Sequence, residues 1–182
     1  MSNPEYVFEN LKIINFINLS AEEKEKVRKW RNHPKIKQWM NHRKTISFVE
    51  HQQFLTSLEM SKNNKYWLVK QKEQYLGVIY FTDITSLTAE LGIYISPDQL
   101  GHGYGSLLLK YLLKIGFEKI GLKNIKLEVF SDNTKAINLY QKFHFKIMPT
   151  NDLPNKASVV KKRKLTKMTL ESILWKKYIN NY

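Results

Sequence analysis

The sequence predicts an α/β (α+β) protein, in which strands, one antiparallel hairpin among them, alternate with amphipathic helices. Three observations carry this. Two segments rich in β-branched and aromatic residues, 65–70 and 75–82, are separated only by the polar stretch Lys72-Glu73-Gln74, the mark of an antiparallel hairpin. From Gly105 the apolar spacing changes to a helical one, with Leu108, Tyr111, Leu112 and Ile115 on one face. A strand-like stretch, 124–130, is then followed by a helical stretch, 133–143, and by strand-like residues 145–148.

The remaining elements follow in chain order. Residues 11–19 read as a strand. Ser20 with Glu23 forms a capping box that opens a helix to about Arg31. Arg31-Asn32-His33-Pro34 breaks that helix, and Pro34 starts a short second one ending near Met40. Ser47 and Glu50 form another capping box, and Phe48, Phe54, Leu55 and Leu58 are the expected apolar face of the helix behind it. Residues 89–95 read as a strand stopped by Ser96-Pro97-Asp98, and the helix from Gly105 is expected to run to about Lys119. Residues 151–167 are polar and basic, so Lys161-Lys162-Arg163-Lys164 reads first as a solvated loop and second as a phosphate or partner contact. Residues 169–178 become apolar again, as a last strand or an added helix. A chain of 182 residues without repeats or linkers fits one domain, 1–182, with about 150–182 as a variable C-terminal portion.

Composition narrows the chemistry. With 42% hydrophobic and 13% aromatic residues the chain can build a core. No window reaches the roughly 18 to 20 apolar residues of a membrane span. Residues 1–12 lack the basic-then-apolar pattern of a secretory leader, so a cytoplasmic location is expected. Without cysteine there are no disulfides, thiolate ligands or cysteine nucleophile, and the five histidines show no ligand spacing, so no metal is expected. The formal charge of +14 suits phosphate-bearing ligands or nucleic acid, but equally a lysine-rich solvated surface. Charge alone does not choose between them; nucleic acid is not the expected partner, nor is a membrane.

Gly101, Gly103 and Gly105 lie between a strand and an amphipathic helix. There the backbone N–H groups of Leu100-Gly101-His102-Gly103-Tyr104-Gly105-Ser106 can converge on an anion at the positive end of the helix. The spacing is neither the dinucleotide G-x-G-x-x-G nor a P-loop, which needs Gly-Lys-Ser/Thr. Downstream, Asn133, Ala136 and Tyr140 fall on one helical face, with Ser131 and Asp132 as N-cap candidates and Asn133 also readable as a simple cap.

The two motifs together resemble the GCN5-related N-acetyltransferase superfamily, whose coenzyme-A loop reads Arg/Gln-x-x-Gly-x-Gly/Ala. Gly103 and Gly105 match it, while Leu100 stands at the Arg/Gln position and leaves the work to backbone N–H groups. The resemblance implies a central mixed, mostly antiparallel twisted sheet flanked by helices, with a splayed central strand pair, and acetyl-CoA as acetyl donor. It places the pyrophosphate on residues 100–106, with Asn133 and Lys135 beside the coenzyme, and the acetyl carbonyl against backbone N–H at Tyr94 and Ile95. It makes Tyr140 the acid that protonates the departing thiolate. With no cysteine for an acetyl-enzyme, direct attack in a ternary complex is expected.

The N-terminal half is more specific. Trp30-Arg31-Asn32-His33-Pro34, Trp39-Met40 and Glu50-His51-Gln52-Gln53-Phe54-Leu55, with Tyr75-Leu76-Gly77-Val78 and Leu91-Gly92-Ile93-Tyr94, are similar to the acetyltransferases of pseudaminic acid biosynthesis in flagellin glycosylation. The similarity covers most of residues 28–145 and implies as acceptor the 4-amino group of a UDP-linked 4-amino-4,6-dideoxy sugar. Arg31, Met40, His51, Phe54, Thr82, Tyr94 and Glu128 are then the acceptor-pocket residues. Arg31 would pair with the diphosphate, and Met40 and Phe54 would pack on uracil or the 6-methyl group. Glu128 would be the general base, with Glu90 and His51 as rivals. Taken singly, Met40 and Phe54 also suit a plain core and His51 a plain surface. A homodimer is compatible with all of this. Two other functions fit the superfamily: a Rim-type acetyltransferase of ribosomal proteins or peptides, and a non-catalytic RNA- or ribosome-binding module.

Overall fold

The computed structural model describes residues 5–8, 10–149, 159–160 and 163–179. Among these are nine strands: β1 (Tyr6–Phe8), β2 (Leu11–Asn15), β3 (Lys65–Gln71), β4 (Gln74–Thr82), β5 (Thr88–Ile95), β6 (Asn124–Phe130), β7 (Lys146–Ile147), β8 (Val159–Val160) and β9 (Arg163–Glu171). They hydrogen-bond in the order β1-β2-β3-β4-β5-β6-β9-β7, with β8 beside β9. Every pairing is antiparallel except β5 with β6. The helices are α1 (Ala21–Asn32), α2 (Pro34–Lys37), α3 (Phe48–Met60), α4 (Tyr104–Lys114), α5 (Thr134–Lys142) and α6 (Ser172–Ile179). None of the helices among the described residues is long and apolar enough to cross a membrane.

Local chemistry explains the helix starts. Ser20 with Glu23 and Ser47 with Glu50 each make both capping-box hydrogen bonds, satisfying orphan donors reciprocally. Helices cover both faces of the sheet. On one face Leu108, Leu109, Leu112 and Leu113 of α4 pack with Trp67, Phe81, Leu127 and Met168 into the larger core. On the other, Val27 and Trp30 of α1 and Leu55 and Leu58 of α3 pack against Leu68 and Val78.

Several expectations need correction. The strand from Leu11 ends at Asn15, whose side chain accepts from the Ile17 amide and turns the chain into a 3-10 segment, Phe16–Asn18. The helix begun by Pro34 stops at Lys37. The inward face of α3 is His51, Leu55 and Leu58, whereas Phe48, in the first turn, is exposed. Helix α5 is capped by Asn133 itself, which accepts from the Ala136 amide, and not by Ser131 or Asp132. Helix α4 passes into a π-helical turn, Ile115–Ile120, ended by Gly121 at φ +84°. Residues 169–178 are neither strand nor helix alone: β9 runs to Glu171 and α6 follows. The basic run is not simply a solvated loop, since Arg163 opens β9 and is bonded on several sides; Lys161 and Lys162, like residues 151–158, lie outside the described residues.

Two irregularities shape the sheet. The register of β3 with β4 shifts between Val69 and Lys70, so that Tyr66 faces Tyr80 directly. Strands β5 and β6 pair only over residues 88–90 against 124–126 and then part, while β5 stays with β4 and β6 with β9.

Candidate active site

The parting of β5 and β6 opens a cavity of about 970 Å³ that passes from one face of the sheet to the other. On the α4 side its walls include Ile95, Leu100, Gly105, Asn133, Lys135 and Tyr140. On the α1–α3 side they include Arg31, His51, Phe54, Tyr66, Tyr80 and Tyr94. Thr82, Glu90 and Glu128 stand between, near the fork.

The first side is built for a phosphate-bearing ligand. Gly101 and Gly103 sit at φ +90° and +80°, with no atom within 4 Å of where a Cβ would be. Gly103 occupies the N-cap of α4 and offers no side chain, which leaves the first helical amides uncapped and at the positive end of the dipole. Gly105 lies so close to α5 that a Cβ would stand 3.2 Å from Leu139. Of the cradle residues, Leu100 and Gly105 line the cavity, and His102, Tyr104 and Ser106 lie along the same turn and first helical turn. The Tyr104 hydroxyl donates to Gln74, 3.4 Å away, across to the β3–β4 turn.

Tyr140 projects from α5 into the cavity and is 8% exposed. Burial pushes its phenol above the ordinary tyrosine value, so the hydroxyl stays protonated through neutral pH. Asn133, Ala136 and Tyr140 all line the cavity, as the helical spacing predicts.

The second side is aromatic and cationic. Tyr66 and Tyr80 stack at 4.6 Å and 12°, Phe54 meets Tyr66 edge-on at 5.1 Å, and His51 stacks on Phe54 at 6.2 Å. Arg31 reaches among them. Its Nη2 donates to the His42 carbonyl at 2.8 Å, while its buried Nη1 has no partner among the described residues. Burial lowers its pKa, and the groups that oppose this are the hydroxyls of Tyr94, Tyr80 and Tyr66 rather than a carboxylate. Burial likewise pushes these three phenols up. Burial also lowers His51, with the Arg28 charge adding to it. Met40 lines the same side from residues 38–46, which cross over the cavity after α2.

Two carboxylates face the fork. Glu128 ion-pairs with Lys167 at 3.0 Å, which raises the Lys167 ammonium. Burial raises Glu90, and the Glu128 charge adds to that rise. Among the described residues no three His, Asp or Glu side chains converge as a metal site does.

All seven acceptor candidates, Arg31, Met40, His51, Phe54, Thr82, Tyr94 and Glu128, therefore line one cavity with the donor-side residues. Sequence reasoning missed Tyr66, Tyr80 and Trp39, which line it too. Tyrosines alternating inward on two hairpin strands were the available signal for the first two.

Comparison with known proteins agrees with this geometry. Residues 24–145 match the family described as the acetyltransferase (GNAT) family. The chain is 43% identical over 137 residues, 75% of its length and 85% of the relative's, to acetyltransferase PseH of Campylobacter jejuni. The crystal structure of the C. jejuni N-acetyltransferase PseH superposes with a TM-score of 0.71 at 32% identity, covering 90% of this chain and 99% of that one. Its complex with acetyl coenzyme A gives 0.70 at 33%, over 88% and 98%. A Vibrio cholerae spermidine N-acetyltransferase in complex with CoA and spermine reaches 0.79 at 18% identity, over 91% and 98%, a likeness of fold alone.

Proposed function

Since the chain belongs to the acetyltransferase (GNAT) family and is an acetyl-CoA-dependent N-acetyltransferase, we propose that its acceptor is the 4-amino group of a UDP-linked 4-amino-4,6-dideoxy sugar, in the pseudaminic acid pathway. One observation carries this beyond the family: Arg31 is a buried guanidinium in the acceptor half of the cavity, with a free Nη1 and tyrosine hydroxyls in place of a carboxylate partner. Such a group calls for an anion, and a diphosphate supplies one with the fork geometry that guanidinium prefers. Beside it, Phe54, Tyr66 and Met40 offer flat apolar surface for a uracil ring or a 6-methyl group.

The chemistry follows from the order of groups along the cavity. Acetyl-CoA supplies the activated acetyl group. The uncapped amides after Gly103 take the pyrophosphate, with Asn133 and Lys135 beside the coenzyme, and the backbone N–H groups near Tyr94 and Ile95 polarise the thioester carbonyl. The neutral amine attacks that carbon, the N–C bond forms, and the C–S bond breaks. Tyr140, held protonated by burial, donates to the leaving sulfur. The amine's proton passes to the Glu128–Glu90 carboxylate pair at the fork, directly or through water. The reaction is placed in the cytoplasm.

A mass-spectrometric assay with acetyl-CoA and a panel of amines tests the reading. The panel holds the UDP-4-amino sugar, its UDP-GlcNAc-derived epimer, spermidine and a ribosomal peptide. Acetylation of the UDP-4-amino sugar at the 4-position is the expected result. Preference for the peptide or the polyamine overturns it.

A further inference from the structure

Residues 38–46 form the roof over the acceptor half of the cavity: Trp39, Met40, Asn41, His42 and Ile46 all line it, yet the segment has no regular secondary structure. Turn bonds out of α2, among them Trp39 N–H to the Ile36 carbonyl at 3.0 Å and Met40 N–H to the Lys37 carbonyl at 3.2 Å, hold its first residues, and beyond them side chains hold it. Its far end is tied to α1. Arg28 Nη1 donates to the Ile46 carbonyl at 2.9 Å, Asn32 both donates to that carbonyl and accepts from the Ile46 amide at 2.8 Å, and Arg31 holds the His42 carbonyl.

Its near end, besides the turn bonds to α2, is held from the opposite side of the molecule. Arg163 Nη1 donates to the Gln38 carbonyl at 3.0 Å, and the same guanidinium lies over the Trp39 ring, 4.8 Å from its centroid. Arg163 also lies 4.1 Å over Phe130 and grips both carboxylate oxygens of Asp132, through Nε at 3.0 Å and through Nη2. Phe130 and Asp132 belong to the turn that leads into Asn133 and α5. That turn is fixed to β9 independently, by Ser131 N–H to the Lys164 carbonyl at 2.9 Å and by Ser131 Oγ with Thr166 Oγ1 at 2.8 Å. Although Asp132 is largely exposed, the Arg163 side chain is only 22% exposed. One planar fork thus engages a carboxylate, a carbonyl and two aromatic faces, a set of contacts that lysine cannot reproduce.

We infer that Arg163 is a positioning residue, which fixes the acceptor roof against the turn that opens the coenzyme helix α5. The roof would then be set at its near end by the coenzyme-binding half of the molecule, and the two substrate sites would be assembled in register. The inference goes beyond the identity of the acceptor, because the roof covers that half of the cavity whichever amine enters it.

The test compares wild type with Arg163→Gln, Arg163→Lys and Asp132→Asn by hydrogen exchange and by steady-state kinetics, using whichever amine of the panel the wild type acetylates. In Arg163→Gln and Arg163→Lys, amide exchange should accelerate in residues 38–46 while α1 and β3–β4 keep wild-type protection. The acceptor KM should rise about 5- to 30-fold, the effect of one or two lost charge-assisted contacts, with the acetyl-CoA KM unchanged. Asp132→Asn, which does not touch the roof, should loosen it in the same way. Unchanged exchange over 38–46, or an equal rise in both KM values, overturns the inference. If the wild type acetylates peptide rather than the nucleotide sugar, the acceptor reading fails while the roof is still decided on peptide. If it acetylates nothing in the panel, the exchange pattern alone decides.

Discussion

Tyr80 lies across Gly92, its register partner on the neighbouring strand, so closely that a Cβ at 92 would stand 2.0 Å from the ring. The glycine is the space into which the ring fits, and the ring is a wall of the acceptor cavity stacked on Tyr66. Gly92→Ala must displace that ring. It should cost about 1–3 kcal/mol, as overpacking of a filled site does, and raise the acceptor KM. Adding Tyr80→Leu should return much of the stability, a non-additivity that thermal denaturation of the two single variants and the double one will show.

Tyr140→Phe keeps the ring and removes the proposed acid. Turnover should fall about 10²- to 10⁴-fold, the usual worth of a positioned proton donor. Acetyl-CoA affinity, measured by titration calorimetry, should be nearly unchanged. Undiminished turnover would remove Tyr140 from the mechanism.

Glu90 gives a pH signature whose sign is fixed. Its carboxyl is raised in the folded protein, chiefly by burial, so the native state holds its proton where the unfolded chain has lost it. That contribution to stability is complete below the ordinary carboxylate value and is lost as pH rises through the raised one. Glu90→Gln should therefore gain stability relative to wild type between pH 5 and pH 8, which melting curves at the two ends will measure. If Glu90 takes the amine's proton, the same substitution also lowers turnover; if Glu128 alone does, only Glu128→Gln lowers it.

His51 behaves in the opposite direction. Its imidazole is lowered, chiefly by burial and further by Arg28, so the unfolded chain takes up a proton that the native state resists. Its contribution is complete above the ordinary histidine value and is lost as pH falls through the depressed one. His51→Gln should flatten the loss of stability on acidification below about pH 6.5. An unaltered acid limb in the melting curve would show that His51 does not set it.

What could be read from the sequence was local. Ser20 with Glu23 and Ser47 with Glu50 are three residues apart, and the Gly101–Gly103–Gly105 turn lies next to its helix, so the cause and the structure share one window. The same holds for Asn133 and Tyr140 on α5, where the cap is Asn133 and not the preceding Ser131 or Asp132. What could not be read depends on distant partners. Tyr66 faces Tyr80 only because the β3–β4 register slips by one residue; the regular pairing that Gln71 and Gln74 begin would have set Tyr66 opposite Ile79. Arg163 looked like one of several basic residues because its carboxylate partner is 31 positions away and its carbonyl partner 125.

The fork between β5 and β6 has a consequence for the protein before its substrates arrive. Beyond residues 90 and 126 each strand presents to the other a row of amide and carbonyl groups with no ladder between them. On an outer surface such a sheet edge invites another chain to add itself. Here the edge faces inward, between α4, α5 and the roof, where an extended arm carrying amides of its own can slide in and complete the ladder. Coenzyme A has such an arm. At equal ligand concentration, CoA without its acetyl group should therefore raise the melting temperature nearly as far as acetyl-CoA, whereas ADP, which lacks the arm, should raise it much less. On these terms the coenzyme is the sheet's missing strand.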